Sequence, residues 1–490
     1  MKITIIGAGI GGLASAALLA SRGHTVDLFE QNAFIGGKAT EKRIDGFRFD
    51  TGPSVFTMPF ILDQVFEQCG EKTSEYLRIT KTDPICRYFF SDGVLFDHTH
   101  DDARNKDALL RIAPEDIEAW DQFAAYTKKL YDKTTESFLF NPLYSIQDIP
   151  FKHLHKALSI DIFSTVSQRV DSIFSSSRLR QLFKRYTTYN GSSPYQAPAT
   201  FNVIAHVEQQ LGGYYIKGGM YQIVQALSRL AEKQGARIHT GVRVERINVS
   251  DGNVTGTQIN GARFDADVVV ANSDAILTYL NLLPENTLSS GKRKRLARIE
   301  PSCSGFVILL GITRTYEALR HHTIFFSDQY QQEFDSIFLH KELPANPTIY
   351  IANTSSSTPD DAPEGGSNLF ILVNAPYTHK QNWNELKETY TEHILMTLES
   401  RGLSGLRDSV AVCEVITPGD FERIHGSNRG SIYGTSSNSL LSAFLRPKNA
   451  DRTIKNLFFC GGGTHPGGGI PLVLQSALNV DTLIGRASKT

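Results

Sequence analysis

Apolar and polar positions change rhythm several times along the chain, and each change predicts an element. Residues 2–6 form a short apolar run, 7–12 are rich in glycine, 13–21 carry alanine and leucine at helical spacing, and 24–29 are apolar again. This predicts strand, tight turn, helix and second strand, with Glu30 at the end of the second strand. Read as one apolar stretch, 3–19 could be taken for a membrane anchor, but Gly7, Gly9, Gly11 and Gly12 interrupt it and no basic run precedes it. Residues 235–249 alternate as half-buried strands do, and 262–271 end in a Val-Val-Val-Ala strand followed by Asn272-Ser273-Asp274. The pattern near the end, 456–460, 461–471 and 472–484, predicts a buried strand, a glycine-rich loop and a helix. Between these parts, 100–214 and 290–410 mix helical patterns with strands such as 304–311, and 355–366 has the composition of a polar connector.

The glycine spacing at the N-terminus carries chemistry. In Gly7-Ala8-Gly9-Ile10-Gly11-Gly12, Gly7 permits the turn, Gly9 lets backbone approach a pyrophosphate, and Gly12 lets helix and strand pack. The helix N-terminus adds partial positive charge for the phosphates. Glu30 stands at about the usual distance of 20 residues for an acid that binds ribose hydroxyls, and it would repel a 2′-phosphate. FAD or NAD is therefore expected over NADP.

Composition narrows the remaining classes. The 490 residues carry 50 Lys+Arg against 51 Asp+Glu, a net charge of -1, which lacks the basic excess of a general nucleic-acid binder. Five cysteines (Cys69, Cys86, Cys303, Cys413 and Cys460) contain no CxxC pair, so neither a disulfide framework nor a zinc site is expected, and a reducing, cytoplasmic setting fits. No stretch of about 18 uninterrupted apolar residues is present, so membrane contact is expected to be peripheral. The chain has no G-x-S-x-G, HExxH or P-loop motif, and adjacent His321 and His322 would face opposite ways in a strand, a poor metal pair.

After Gly36-Gly37-Lys38 and Asp50-Thr51-Gly52-Pro53, the sequence resembles the FAD-dependent amine oxidase and carotenoid desaturase superfamily. Thr464-His465-Pro466-Gly467-Gly468-Gly469-Ile470-Pro471 resembles the C-terminal signature of bacterial and fungal phytoene desaturases. Gly218-Gly219-Met220, Pro301-Ser302-Cys303-Ser304, Thr417-Pro418-Gly419-Asp420-Phe421 and Phe444-Leu445-Arg446-Pro447 extend the likeness over essentially the full length. The resemblance implies an α/β fold in which a discontinuous, Rossmann-like FAD-binding domain of the glutathione reductase type (1–95, 215–285 and 415–490) carries an inserted mixed α+β substrate domain (96–214 and 286–414). It implies that Lys38 faces the FAD phosphates, that Asp50, Gly52 and Pro53 lie near the flavin, that Val244 reaches the adenine through its backbone, and that Gly462, Gly467, Gly468, Gly469 and Ile470 bound the flavin ring.

The implied reaction is desaturation of a long apolar carotenoid precursor, with oxygen or a quinone reoxidising the flavin and no metal. Glu208 is a candidate proton acceptor or cation stabiliser, and His465 a second candidate that orders the flavin loop. Residues 137–170, with Lys152, His153, His155 and Lys156 among apolar residues, could lie on an anionic membrane surface. The segments around Gly191-Ser192-Ser193-Pro194 and Glu300-Pro301 resemble late-acting members, which include terminal-methyl oxygenases and hydroxycarotenoid desaturases. A carotenoid oxygenase, a polyene isomerase, a flavin amine oxidase and a prenyl-lipid-binding protein remain the alternatives.

Overall fold

The computed structural model describes residues 1–135, 139–140, 160–439 and 446–487. Most of the basic 137–170 segment, and Phe444 and Leu445, therefore lie outside the described residues.

A five-stranded parallel sheet forms the nucleotide-binding half, in the order Leu457–Phe459, Val268–Ala271, Lys2–Ile6, Thr25–Phe29, Arg237–His239. Alternation along each strand separates its two faces. Ile3, Ile5, Val268 and Val270 pack toward the helices Ile10–Ser21, Tyr221–Lys233 and Ile470–Ala487. Ile6, Val269 and Ala271 pack on the opposite side, against a three-stranded antiparallel sheet formed by Val244–Ser250, Asn253–Ile259 and Ala262–Asp265. Helix Ile10–Ser21 is buried from Ile10 to Ala20, which explains its alanine-rich, uncharged sequence. It begins at Ile10 instead of the expected 13, because Gly9 is extended and caps it while Gly11 and Gly12 already turn helically. The last helix likewise starts at Ile470, two residues before the predicted position.

The second half is built on a seven-stranded sheet in the order Val410–Ile416, Ser304–Ile312, Ser367–Ala375, Ile349–Ala352, His322–Phe325, Cys86–Phe89, Leu95–His98. Its pairs are antiparallel except His322–Phe325 with Cys86–Phe89. Two of the expected domain limits fall inside this sheet. Strand Cys86–Phe89, assigned by the sequence to the cofactor segment ending at 95, pairs with Thr323–Phe325, and Val410–Ile416 spans the limit at 415. A short strand carries no local sign of which sheet it will join, since the partner is set by contacts far along the chain.

Candidate functional site

One cavity of about 660 Å³ runs from the end of the parallel sheet to the second sheet. At its nucleotide end Gly7 takes φ +97 and donates to Phe29 O at 2.8 Å, turning the chain out of the first strand. No side chain caps the helix that follows, and its first turn holds no acid. Its first N–H groups are thus available to an anion. A Cβ on Gly12 would lie 2.1 Å from Gly7 O, so this glycine lets helix and turn touch and does not itself line the cavity. Glu30, which does, is 6% exposed; its carboxylate accepts from Ala8 N, Asn32 N and Asn32 Nδ2, each at 2.9 Å. Gly36, Gly37 and Val244 complete this end. Asn272, whose role the sequence left unread, closes the turn: its Nδ2 donates to Gly7 O at 3.2 Å. Its position directly after the predicted strand 262–271 was the available signal.

Two of the expected residues are held by distant parts of the chain. The Lys38 ammonium donates to Ser431 O at 2.9 Å and Ile432 O at 2.8 Å. Burial lowers its pKa to about 8 against the pull of Asp274. Lys38 lines the cavity, and its charge ties its own loop to the 431–432 segment far along the chain. Asp50 does not line the cavity: it pairs with Arg48 at 2.7 Å and accepts from Met220 N at 3.0 Å and Tyr221 N at 3.2 Å. Arg48 also reaches Asp361 at 3.3 Å, so the polar 355–366 segment, expected to be a simple connector, supplies a buried ion-pair partner. Thr51, Gly52, Pro53 and Ser54 remain in the wall. Gly52 has no space for a side chain, since its Cβ would meet Lys38 O at 2.0 Å.

The C-terminal loop forms the middle of the cavity through Gly462, Gly463, Pro466, Gly468, Gly469 and Ile470. Gly467 and His465 stand behind this surface. His465 is 4% exposed, donates through its backbone N to Pro447 O and accepts at its O from Asn449 Nδ2, both at 2.9 Å. It lies outside the cavity lining and holds the loop through these backbone bonds.

Beyond the loop the wall becomes apolar, with Val307, Ile324, Phe370 and Leu372 from the second sheet and Phe201 and Ile204 from the turn before Glu208. Glu208 enters this wall fully engaged. It accepts from Arg185 Nη2 at 2.5 Å, Tyr186 Oη at 3.0 Å and Tyr189 Oη at 2.5 Å. Burial opposes its ionisation, yet Arg185, His98 and Tyr189 outweigh burial and hold the carboxyl at about 2. A carboxylate so stabilised is a weak proton acceptor. His206 lies outside the cavity lining and packs at a tilt against Tyr131, with ring centres 4.9 Å apart. The rings of His321 and His322 meet at 4.4 Å instead of facing apart, because His321 precedes the strand and alternation does not govern it. Burial keeps His322 neutral, with a pKa near 4, and its Nδ1 lies 2.8 Å from Tyr350 Oη. Among the described residues no three His, Cys, Asp or Glu side chains are grouped as a metal site.

The residues fit a flavin dinucleotide. Bare glycine backbone lines the cavity, a helix end without a side-chain cap meets it, and Glu30 stands at the nucleotide end. Its volume lies within the range of about 300–1,000 Å³ usual for cofactor and ligand sites. Residues 10–480 match the family described as flavin containing amine oxidoreductase. The chain is 35% identical over 98% of its length to 4,4'-diaponeurosporene oxygenase of Staphylococcus haemolyticus, covering 96% of that protein. It is 37% identical over 97% of its length to 1-hydroxycarotenoid 3,4-desaturase of a Flavobacterium, covering 97% of that relative. Cyclohexylamine oxidase from Brevibacterium oxydans shares the fold, with a TM-score of 0.64 over 100% of this chain and 99% of that one at 15% identity. With these matches along nearly its whole length and a cradle built for a dinucleotide, the chain belongs to the flavin-containing amine oxidoreductases, in their carotenoid desaturase-type branch, and is an FAD-dependent oxidoreductase.

Proposed function

We propose that this enzyme desaturates a long, apolar carotenoid precursor. The observation that carries this reading is the state of the two charges at the apolar end of the cavity: Arg185 and Glu208 are bound to each other and leave no net charge to grip a charged substrate. Binding there depends on apolar burial, about 0.8 kcal/mol for each CH₂. The names of the two relatives, one a carotenoid desaturase and one a carotenoid oxygenase, support the same substrate class.

FAD held in this cradle would supply a hydride acceptor for the substrate. In this reading Gly7, Gly9, Glu30, Gly36, Gly37 and Val244 hold the nucleotide, and Gly462, Gly468, Gly469 and Ile470 bound the ring. Gly12 and Gly52 maintain the close packing on which that cradle depends. Val307, Ile324, Phe370 and Leu372 align the chain and exclude water. Glu208, paired with Arg185, keeps the wall closed around the polyene and takes no proton. Oxygen or a quinone accepts the electrons. A lipid-soluble substrate implies collection at a bilayer surface by peripheral attachment; no described helix is long and apolar enough to cross a membrane.

The second reading is oxygenation of a terminal methyl group, favoured by the 35% identity to the diaponeurosporene oxygenase. Pigments extracted from cells expressing the chain beside phytoene, dehydrosqualene or a coloured carotenoid separate the two. A red-shifted product lighter by pairs of hydrogens supports desaturation. A coloured carotenoid that gains oxygen, with the colourless precursors unchanged, replaces it with the oxygenase reading.

A further inference from the structure

Arg446 belongs to the Phe444-Leu445-Arg446-Pro447 motif and is 7% exposed. It lines the cavity beside the C-terminal glycine loop. Its Nη1 donates to Tyr433 O at 3.0 Å and Gly462 O at 3.1 Å; its Nη2 donates to Asn190 Oδ1 at 2.8 Å and Ser437 Oγ at 3.3 Å. Every one of these acceptors is neutral. A Cβ on Gly467 would sit 3.6 Å from its Nε, so the guanidinium lies directly under the loop.

The other buried arginines differ in one respect. Arg48 has Asp50 and Asp361, Arg87 has Asp97, and Arg185 has Glu208, whereas among the described residues no carboxylate pairs with Arg446. Burial alone acts on it and lowers its pKa to about 10, so it remains a cation near neutral pH. An unpaired buried charge is costly. Such a charge is useful where an opposite charge develops during reaction.

We propose that Arg446 is an electrostatic tuning residue whose unpaired charge, fixed on the Gly462 carbonyl, favours the reduced, anionic flavin ring over the oxidised, neutral one. This rests on the placement of the ring against the C-terminal loop. A substrate C–H bond breaks and its hydride carries two electrons and one proton to the ring, which goes from neutral to one negative charge. The adjacent carbon releases a proton, the C=C bond forms, and oxygen or a quinone later takes the two electrons.

A guanidinium that merely tied loops together would make the same hydrogen bonds, so the test reads the ring's electronics. The flavin-loaded full chain is compared with Arg446→Lys and Arg446→Gln by midpoint potential and by titration with sulfite, whose addition also leaves negative charge on the ring. Arg446→Gln is expected to lower the potential and weaken sulfite binding about tenfold or more, while Arg446→Lys stays within about threefold of the parent. A fully loaded Arg446→Gln protein unchanged in both measurements overturns the inference. If that variant does not hold flavin, one-electron photoreduction of the parent protein decides: the red anionic radical supports the inference and the blue neutral radical overturns it. A parent protein that purifies without flavin from flavin-replete cells overturns the ring placement itself, a failure distinct from the others.

Discussion

Arg185 Nη2 lies 2.5 Å from Glu208 Oε1 in the cavity wall, and the guanidinium carbon sits 4.3 Å from the centre of the Tyr186 ring. The guanidinium also lies over the rings of Tyr88 and Tyr189. Its two charges therefore depend on each other.

Glu208→Gln should destabilise the protein by about 3–5 kcal/mol, because it leaves a buried guanidinium without its carboxylate. Urea unfolding measures this. The folded carboxyl at about 2 is below its ordinary value of 4.5, so its contribution is full above about pH 4.5 and is lost as pH falls toward 2. Unfolding between those pH values should be steeper in the parent than in the variant. In flavin-loaded variant enzyme, kcat/KM should fall by less than about tenfold, since no proton transfer passes through this group. A larger fall with unchanged folding would return Glu208 to a catalytic role.

Glu333 should produce the opposite pH slope. It is 1% exposed, and its Oε2 accepts from Thr348 N at 3.1 Å and Thr348 Oγ1 at 2.7 Å. Burial raises its pKa from 4.5 to about 7, so its contribution is present below the ordinary value and lost as pH rises through 7. Glu333→Gln should therefore be more stable than the parent by about 1–3 kcal/mol on the alkaline side, and the gap should close at low pH. Tm measured across pH checks the slope.

Two glycine substitutions should have opposite effects. Gly12→Ala places a methyl group 2.1 Å from Gly7 O and should abolish flavin retention or folding. At Gly291, in helix Ser290–Ala297, a Cβ would have no atom within 4 Å, and Gly291→Ala should stabilise by about 0.5–1 kcal/mol. Flavin absorbance per chain and thermal melting read both.

At Glu30 the charge should matter more than the shape. Glu30→Arg places a cation where Ala8 N and Asn32 N now donate, and should leave the purified chain without flavin. Glu30→Gln keeps an acceptor and should retain flavin with affinity weakened about tenfold to a hundredfold. A fully yellow Glu30→Arg protein would refute the placement of the nucleotide.

The glycine motifs, the strands at either end of the chain and the acid at Glu30 were legible in the sequence because each is a local requirement. A positive φ at Gly7, a missing side chain at Gly12 and an apolar strand beside a turn all depend on residues a few positions away. Cofactor class followed from that local set. By contrast, Lys38 bonds to residues 431 and 432, Asp50 to residues 220 and 221, and strand Cys86–Phe89 pairs with Thr323–Phe325. Such partners are brought together only when the two sheets and their helices pack, and no periodicity along the chain encodes them. The same holds for charge: sequence identifies Arg185, Glu208 and Arg446 equally as ionisable residues, and only tertiary packing makes two of them a neutral pair and leaves the third unpaired beside the glycine loop.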